Sequence, residues 1–216
     1  MLEVNRRPRL DKPVLPDPQP AGHVGIFAAP YMRRTACILA IWLLVSTAYY
    51  GVFTWLPGRL AGEGLGFLRG YGFLIVVALA QIPGYALAAY GVERWGRRET
   101  LIGFLLLSCI GCFVFAISLE PVIVTGAILM MSFSLLGTWG ALYAWTPELY
   151  PTSIRATGMG TAGAMARLGG LLAPTAIAPL VAIGFPVAVG FFAALLFIAL
   201  LAAAAVDLET RQKPIG

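Results

Sequence analysis

The residues best suited to chemistry are charged groups that stand within or between long apolar segments. Arg167 is the only ionisable residue deep inside such a segment. An arginine at the centre of a membrane costs at least about 2.5 kcal/mol, so its side chain should face a cavity or a partner. Its planar guanidinium fits a carboxylate, which makes Arg167 a candidate counter-ion for an anionic substrate. The alternative is a structural charge paired with backbone carbonyls or with Glu148.

A short charged segment, residues 93–98, separates the second and third apolar segments and reads Glu-Arg-Trp-Gly-Arg-Arg. Gly96 permits a sharp turn, and Arg97 and Arg98 place two fixed charges at the membrane surface. Glu93 can pair with an arginine or interact with the N-terminus of a neighbouring helix. The segment is a candidate conformational latch, although simple anchoring of two helices at the interface explains the same charges.

A second charged segment, residues 147–155, separates the fourth and fifth apolar segments and reads Pro-Glu-Leu-Tyr-Pro-Thr-Ser-Ile-Arg. Pro147 and Pro151 are expected to break the fourth helix. Glu148 and Arg155 supply opposite charges on either side of the second proline. Anchoring and latching are again the two alternatives that the residues alone leave open.

These charges stand out because the rest of the chain is apolar. Of its 216 residues, 59% are hydrophobic and 12% are charged, against about 25% charged in soluble domains. A helix of about 20 apolar residues crosses a hydrocarbon core of about 30 Å. Six suitable segments are present, at residues 35–55, 71–91, 101–119, 122–145, 157–183 and 186–206. The sequence predicts an all-α integral membrane protein with six transmembrane helices in residues 35–206. A proline-rich cytoplasmic linker (1–34) precedes them, and a cytoplasmic tail (207–216) follows.

The net charge of +5 reports on membrane topology. With six spans both termini lie on one side, and twelve of the fifteen Lys and Arg residues fall there. Arg59 and Arg69 fall on the other side, and Arg167 lies within a span. This bias predicts cytoplasmic termini in a multi-pass protein of the cell inner membrane. The lipid bilayer therefore accounts for the basic residues, and nucleic acid is not an expected partner.

The polar residues form no pattern typical of an enzyme. Cys109 and Cys112 have the spacing of a redox or zinc pair, but the sequence has no second ligand pair. Both lie inside an apolar segment, where nothing favours a thiolate. We expect small core residues at both positions, no metal, no cofactor and no catalytic site.

Further candidates for substrate contact are polar and aromatic residues at helical spacing. Tyr50 belongs to a polar and aromatic stripe on the first helix, and Gln81 shares a face of the second helix with Tyr85. Trp139 and Tyr143 share a face of the fourth helix. We predict that Tyr50, Gln81, Trp139 and Tyr143 contact a substrate. An interfacial aromatic is the alternative for Tyr143.

Several of these motifs resemble one family of transporters. Residues 93–98 resemble the Asp-Arg-x-Gly-Arg-Arg loop of the major facilitator superfamily, with Glu in place of Asp. Residues 147–155 are similar to the Pro-Glu-x-x-Pro-Thr-x-x-Arg loop of its sugar-porter-like branch, and residues 209–211 resemble the tail motif of that branch. Residues 49–57 and 167–170 resemble metabolite:proton symporters, including aromatic-acid and nicotinate transporters.

The resemblance implies one half of a twelve-helix transporter. The six helices correspond to helices seven to twelve, with residues 1–34 in the central linker. Because such transporters bind substrate between their halves, the expected partner is a missing N-terminal six-helix half or a second copy of this chain. The implied cytoplasmic gate consists of Glu93, Arg94, Arg97, Arg98, Glu148 and Arg155.

The implied function is transport of a small-molecule metabolite by alternating access, with a carboxylate as the favoured substrate and a proton as a candidate co-substrate. The spans contain no acidic residue, so a proton carrier is not assigned to this chain. The glutamines and asparagines that bind sugar in the seventh helix of true sugar porters are absent, which argues against a hexose. A sugar or another neutral metabolite stays an alternative. A truncated, inactive or accessory membrane subunit is the other alternative.

Overall fold

Seven helices make up the regular structure of the residues that the computed structural model describes, namely 25–62, 71–118 and 120–211. They are α1 (Met32–Gly62), α2 (Tyr71–Leu79), α3 (Gln81–Arg94), α4 (Arg97–Ile117), α5 (Pro121–Glu148), α6 (Thr152–Ile183) and α7 (Phe185–Ala204). Six segments are long and apolar enough to cross a membrane, since α2 and α3 together form one of them. The predicted all-α fold with six spans is confirmed. Residues 1–24 of the predicted linker and 212–216 of the predicted tail lie outside the described ranges.

The second span consists of two helices because its backbone hydrogen bonding is interrupted. Pro83 has no N–H and cannot donate to the carbonyl of Leu79, four residues earlier. Accordingly α2 ends at Leu79, and α3 begins after the single residue Ala80. One residue beyond the proline, α3 lies so close to α5 that a Cβ added to Gly84 would collide with the carbonyl oxygen of Phe133. Glycine at this position lets the two backbones touch.

The two charged segments are helix ends rather than loops. Only Trp95 and Gly96 separate α3 from α4. In the other segment α5 continues through Pro147 to Glu148, and Pro151 precedes α6 as its N-cap. The expected break at Pro147 is wrong, because a proline in the last turn removes one hydrogen bond and leaves the preceding turns intact.

The centre of the bundle is α5, which packs against α3 and α4, while α1 packs against α6 and α7. In the apolar stretch of α5, 61% of the residues are buried. Hydroxyl groups also join the helices: Ser108 donates to Ser134 at 2.9 Å between α4 and α5, and Ser132 donates to the carbonyl of Val77 at 2.6 Å. Such bonds contribute about 0.6 kcal/mol each in membranes, so close packing provides most of the stability.

One side of the bundle is much less covered than the others. The buried share of the apolar stretch falls to 22% in the second span and to 12% in α6. Both elements therefore leave many of their side chains exposed. Tyr85 on α3 and Arg167 on α6 belong to this open side.

Candidate functional site

A cavity of about 340 Å³ lies between α1, α3, α5 and α6. This volume is at the lower end of the range for small-molecule sites. The residues that line it are Tyr49, Tyr50, Tyr85, Leu136, Trp139, Tyr143, Gly163, Ala166 and Arg167. Five of these nine side chains are aromatic and one is charged. The cavity therefore offers ring faces, hydroxyl groups and one guanidinium to a ligand.

Edge-to-face contacts fix the positions of the aromatic rings. Trp42 lies behind the cavity wall and is 1% exposed. Its ring centroid is 5.4 Å from that of Trp139 and 4.8 Å from that of Tyr143, with nearly perpendicular planes in the second pair. Within the lining itself, the ring centroids of Tyr49 and Tyr50 are 5.3 Å apart and their planes form an angle of 88°. Such pairs contribute about 0.5–1.5 kcal/mol beyond burial, so the wall is held in place before a ligand enters.

The charge in the cavity wall comes from Arg167. Its Nη1 donates to the carbonyl of Gly163, one turn earlier, at 3.2 Å. An arginine has five N–H donors. One donor of Arg167 thus binds a backbone carbonyl, as expected for a structural charge. Among the residues that the structure describes, no carboxylate forms an ion pair with Arg167. Glu148, the other expected partner, binds Arg97 instead.

The structure brings together most of the residues predicted to contact substrate. Those that line the cavity are Tyr50, Trp139, Tyr143 and Arg167. Gln81 is not among the lining residues, whereas Tyr85, one turn further along the same helix face, is. The shared periodicity of this pair does not say which residue reaches the cavity. Tyr49 was also not predicted, because a residue next to Tyr50 points to another side of an ideal helix.

A cluster of charged residues closes one end of the bundle, where α3, α4, α5 and the tail meet. Nε of Arg97 is 3.0 Å from Oε2 of Glu148, and Nη2 of Arg97 is 3.2 Å from Oε1 of Glu93. The side chains of Arg97 and Glu148 are only 13% and 16% exposed, whereas Glu93 is 66% exposed. Screening by water is therefore weakest for the Arg97–Glu148 pair. We call Glu93, Arg97, Glu148 and Glu209 the end cluster.

Glu209 of the tail caps the N-terminus of α4. Its carboxylate accepts hydrogen bonds of 3.0 Å from the backbone N–H groups of both Arg97 and Arg98, and further ones from the next two tail residues. The N-cap residue of α4 is Gly96, which has no side chain to cap the helix. Burial raises the pKa of the Glu209 carboxyl, but the backbone hydrogen bonds outweigh it, and the pKa lies below its ordinary value. A negative charge at this position also interacts favourably with the helix dipole.

Gly96 makes this capping arrangement possible, and the predicted sharp turn lies at this residue. Its φ of 117° is a conformation that favours glycine. An added Cβ would lie 2.7 Å from Oε2 of Glu209. The hydroxyl of Thr210 donates to Glu148, so the tail contacts both the start of α4 and the end of α5. Residues 209–211 were noted for their resemblance to a family tail motif, but the capping role of Glu209 was not predicted.

The remaining predicted gate residues lie at the same end with different partners. Nη2 of Arg98 is 2.7 Å from the carbonyl of Ala204 at the end of α7. Nε of Arg155 is 3.0 Å from the carbonyl of Pro147. Arg94 is exposed and contacts a tyrosine of its own helix. Arg98 and Arg155 therefore bind helix-terminal carbonyls, whereas the contact of Arg94 with Tyr90 is local.

The fold and the open cavity define a multi-pass α-helical membrane protein. A family model described as Major Facilitator Superfamily matches residues 4–174 and 70–215. The chain belongs to this superfamily, and the resemblance of its charged motifs to that family is confirmed. The names of its relatives are those of transporters rather than enzymes.

Two bacterial relatives carry names that refer to niacin. The chain is 35% identical over 189 residues to a Bacillus subtilis protein named for niacin and nicotinamide transport, an alignment covering 87% of this chain and 47% of the relative. It is 39% identical over 158 residues to the niacin transporter NiaP of Acinetobacter baylyi, covering 72% of this chain and 36% of the relative. An organic cation transporter protein of Drosophila melanogaster is 32% identical, with 72% and 28% covered.

A solved structure supports the fold. The crystal structure of the POT family transporter PepTSo superimposes with a TM-score of 0.71, covering 84% of this chain and 39% of that protein, at 18% identity. The likeness at this identity concerns the fold alone. The chain thus spans about half the length, or less, of the relatives it matches.

Proposed function

We propose that the chain is the C-terminal six-helix half of a transporter for a small organic carboxylate. The observation that carries this proposal is Arg167, whose guanidinium lies in the wall of an aromatic cavity and forms no ion pair with a described carboxylate. A cation in an apolar surrounding gains most from an anionic ligand that supplies the missing counter-charge. The rings beside it favour a flat, apolar body attached to that carboxylate.

Both bacterial names include niacin, a pyridine ring bearing a carboxylate, which agrees with this substrate class. The Bacillus name also includes nicotinamide, the neutral amide of the same ring. The name of the Drosophila relative points to a cation instead. A cation could stack on the tyrosine and tryptophan faces. However, Arg167 places a positive charge in the same cavity, and this repulsion favours the anion.

The open side of the bundle supports a two-halved transporter. The second span and α6 contain the least buried apolar stretches and also contribute Tyr85 and Arg167 to the cavity. A second six-helix bundle on this face would enclose the cavity, as in transporters that bind substrate between two repeats. Alternating access then consists of rocking one bundle against the other. The end cluster, on the cytoplasmic side by the distribution of basic residues, holds the ends of α3, α4 and α5 together during that motion.

Binding to the purified chain tests the proposal. Nicotinate, its neutral amide and 1-methylnicotinamide share one ring and differ in charge, so their relative affinities isolate the contribution of the carboxylate. We expect nicotinate to bind best, and Arg167→Gln to weaken it about 10- to 100-fold, as for a lost charged hydrogen bond. Arg167→Lys should lose less because the positive charge stays.

The outcomes separate the alternatives. Tightest binding of 1-methylnicotinamide would indicate a cationic substrate instead of an anionic one. Equal binding of nicotinate and its amide would indicate a neutral substrate. Absence of any binding by a folded chain, together with no uptake when it is expressed with a completing six-helix bundle, would favour an accessory subunit.

A further inference from the structure

A second cavity, of about 250 Å³, lies at the end of the bundle that contains the end cluster. It is formed by the start of α1 and the residues that follow α7. The residues that line it are Pro30, Arg33, Arg34, Ala205, Val206, Asp207 and Leu208. None of them lines the substrate cavity or belongs to the predicted gate. Two arginines and one aspartate leave this second cavity with a net positive charge.

Arg34 is held rigidly in the wall of this cavity. Its Nη1 donates to the carbonyl of Leu149 at 3.0 Å and its Nη2 to the carbonyl of Pro30 at 3.2 Å. Its guanidinium also lies 5.0 Å from the ring centre of Tyr31. An arginine has five N–H donors, so this fixed group retains donors for an anion.

Arg33 is the more accessible arginine. Its Nη2 donates to the carbonyl of Ala205 at 2.9 Å, and its Nη1 is 3.6 Å from the carboxylate of Asp207. The side chains of Arg33 and Asp207 are 72% and 76% exposed. Such exposed pairs contribute little, so a phosphate can compete with Asp207 for the guanidinium.

Exposed apolar side chains lie close along the chain to the residues that line this cavity. Met32 begins the first span, and its side chain is exposed, as are the nearby apolar side chains of Phe27 and Leu201. Acyl chains of a lipid can cover these groups while its headgroup reaches the arginines. Basic pockets between transmembrane helices are known to take anionic headgroups.

We infer that Arg33 and Arg34 bind the phosphate of an anionic phospholipid. The lipid headgroup bridges α1 and the end of α7, and its acyl chains lie on the exposed apolar residues beside them. A phospholipid is favoured over a soluble phosphate because the charged cavity and the exposed apolar side chains occur together. The site is separate from the substrate cavity and does not depend on the nature of the substrate.

The test is equilibrium binding to the full chain in detergent, with dioctanoyl phosphatidylglycerol, dioctanoyl phosphatidylcholine and glycerol 1-phosphate as probes. We expect phosphatidylglycerol to bind most tightly. Arg33→Gln should weaken it about fivefold, the usual effect of one basic residue near an anionic lipid. Asp207→Asn should strengthen it by a similar factor, because the competing carboxylate is removed.

Arg211→Gln is the matched control, since Arg211 is exposed at the same end of the bundle and does not line the cavity. It should leave the affinity unchanged. Arg34→Gln should also weaken binding. If Arg34→Gln fails to fold, Arg33→Gln still tests the proposal. Equal affinity for both lipids, equal affinity for glycerol 1-phosphate, or equal losses in Arg33→Gln and Arg211→Gln would overturn the assignment.

Discussion

The indole nitrogen of Trp42 donates a hydrogen bond of 2.9 Å to the hydroxyl of Thr146, two residues before Glu148. The same indole ring contacts the rings of Trp139 and Tyr143 in the cavity wall. One buried side chain therefore connects the candidate substrate cavity to the helix turn that carries a carboxylate of the end cluster. Trp42 does not line the cavity, and we regard it as a positioning residue for the two rings that do.

Trp42→Phe is expected to act on both stability and ligand affinity. Loss of the indole hydrogen bond should lower the free energy of unfolding by about 1 kcal/mol. Because Trp139 and Tyr143 lose part of the surface that orients them, nicotinate should also bind more weakly. Thermal unfolding and a binding titration measure the two effects separately.

Trp145→Phe is the matched control for this variant. Trp145 is equally buried, and its indole nitrogen donates to the carbonyl of Leu208 at 3.1 Å. It does not line the candidate substrate cavity. We expect a comparable loss of stability with unchanged affinity. If both variants lose affinity equally, Trp42 stabilises the fold and does not specifically position the cavity rings.

Glu148→Gln should weaken the end cluster strongly, because the Glu148 side chain is largely buried. The substitution removes the charge that faces Arg97 and leaves that half-buried guanidinium with Glu93 as its carboxylate partner. We expect a loss of about 1–3 kcal/mol in unfolding free energy and lower uptake when the chain is completed by a second bundle. Glu99→Gln removes an exposed carboxylate that pairs with Arg98, and its effect should stay below about 1 kcal/mol. Equal effects would show that burial of the pair is unimportant.

Gly96→Ala should destabilise the chain, whereas Gly103→Ala should not. At residue 96 the new Cβ meets both an unfavourable φ of 117° and the carboxylate of Glu209. Each of these effects costs about 1 kcal/mol or more. At residue 103, within α4, a Cβ meets nothing within 4 Å, and alanine is the better helix former. The unfolding temperature of each variant can be followed by the reaction of the buried Cys112 with a thiol-reactive dye during heating.

Glu209→Gln should show a pH-dependent effect of defined sign. Since the pKa of Glu209 is lowered in the folded chain, its charge stabilises the fold above the unfolded value of 4.5. That contribution decreases as the pH falls through the folded pKa. The wild-type advantage over the variant should therefore be complete at neutral pH and shrink below about pH 4.5. A difference that is constant over this range would mean that hydrogen-bond geometry, rather than charge, matters.

Hydropathy was sufficient to predict the architecture, since six apolar segments are the six spans that the structure shows. The ends of the helices were harder to predict. A proline in the last turn of a helix leaves most hydrogen bonds intact, so Pro147 did not end α5. Conversely Pro83, inside a span, interrupts the second helix because the carbonyl of Leu79 loses its donor. Pro174 and Pro179 lie inside α6 without interrupting it, so the presence of a proline does not by itself predict a helix end.

The candidate site was only partly predictable from the sequence. Charge and helical spacing selected Tyr50, Trp139, Tyr143 and Arg167, which line one cavity, but spacing alone could not choose between Gln81 and Tyr85. The cap at Glu209 joins residues more than 100 positions apart, and this contact has no local signal in the sequence.

That separation has a consequence for synthesis. Arg97 and Glu209 are 112 residues apart, and chains are made from the N-terminus. The first turn of α4 therefore enters the membrane surface long before its capping carboxylate exists, and water must solvate those N–H groups in the meantime. The cap of α4 forms only when the tail has been made and has folded back. Chains that stop before residue 209 would lack this cap, and we expect the first N–H groups of α4 to stay accessible to water in them.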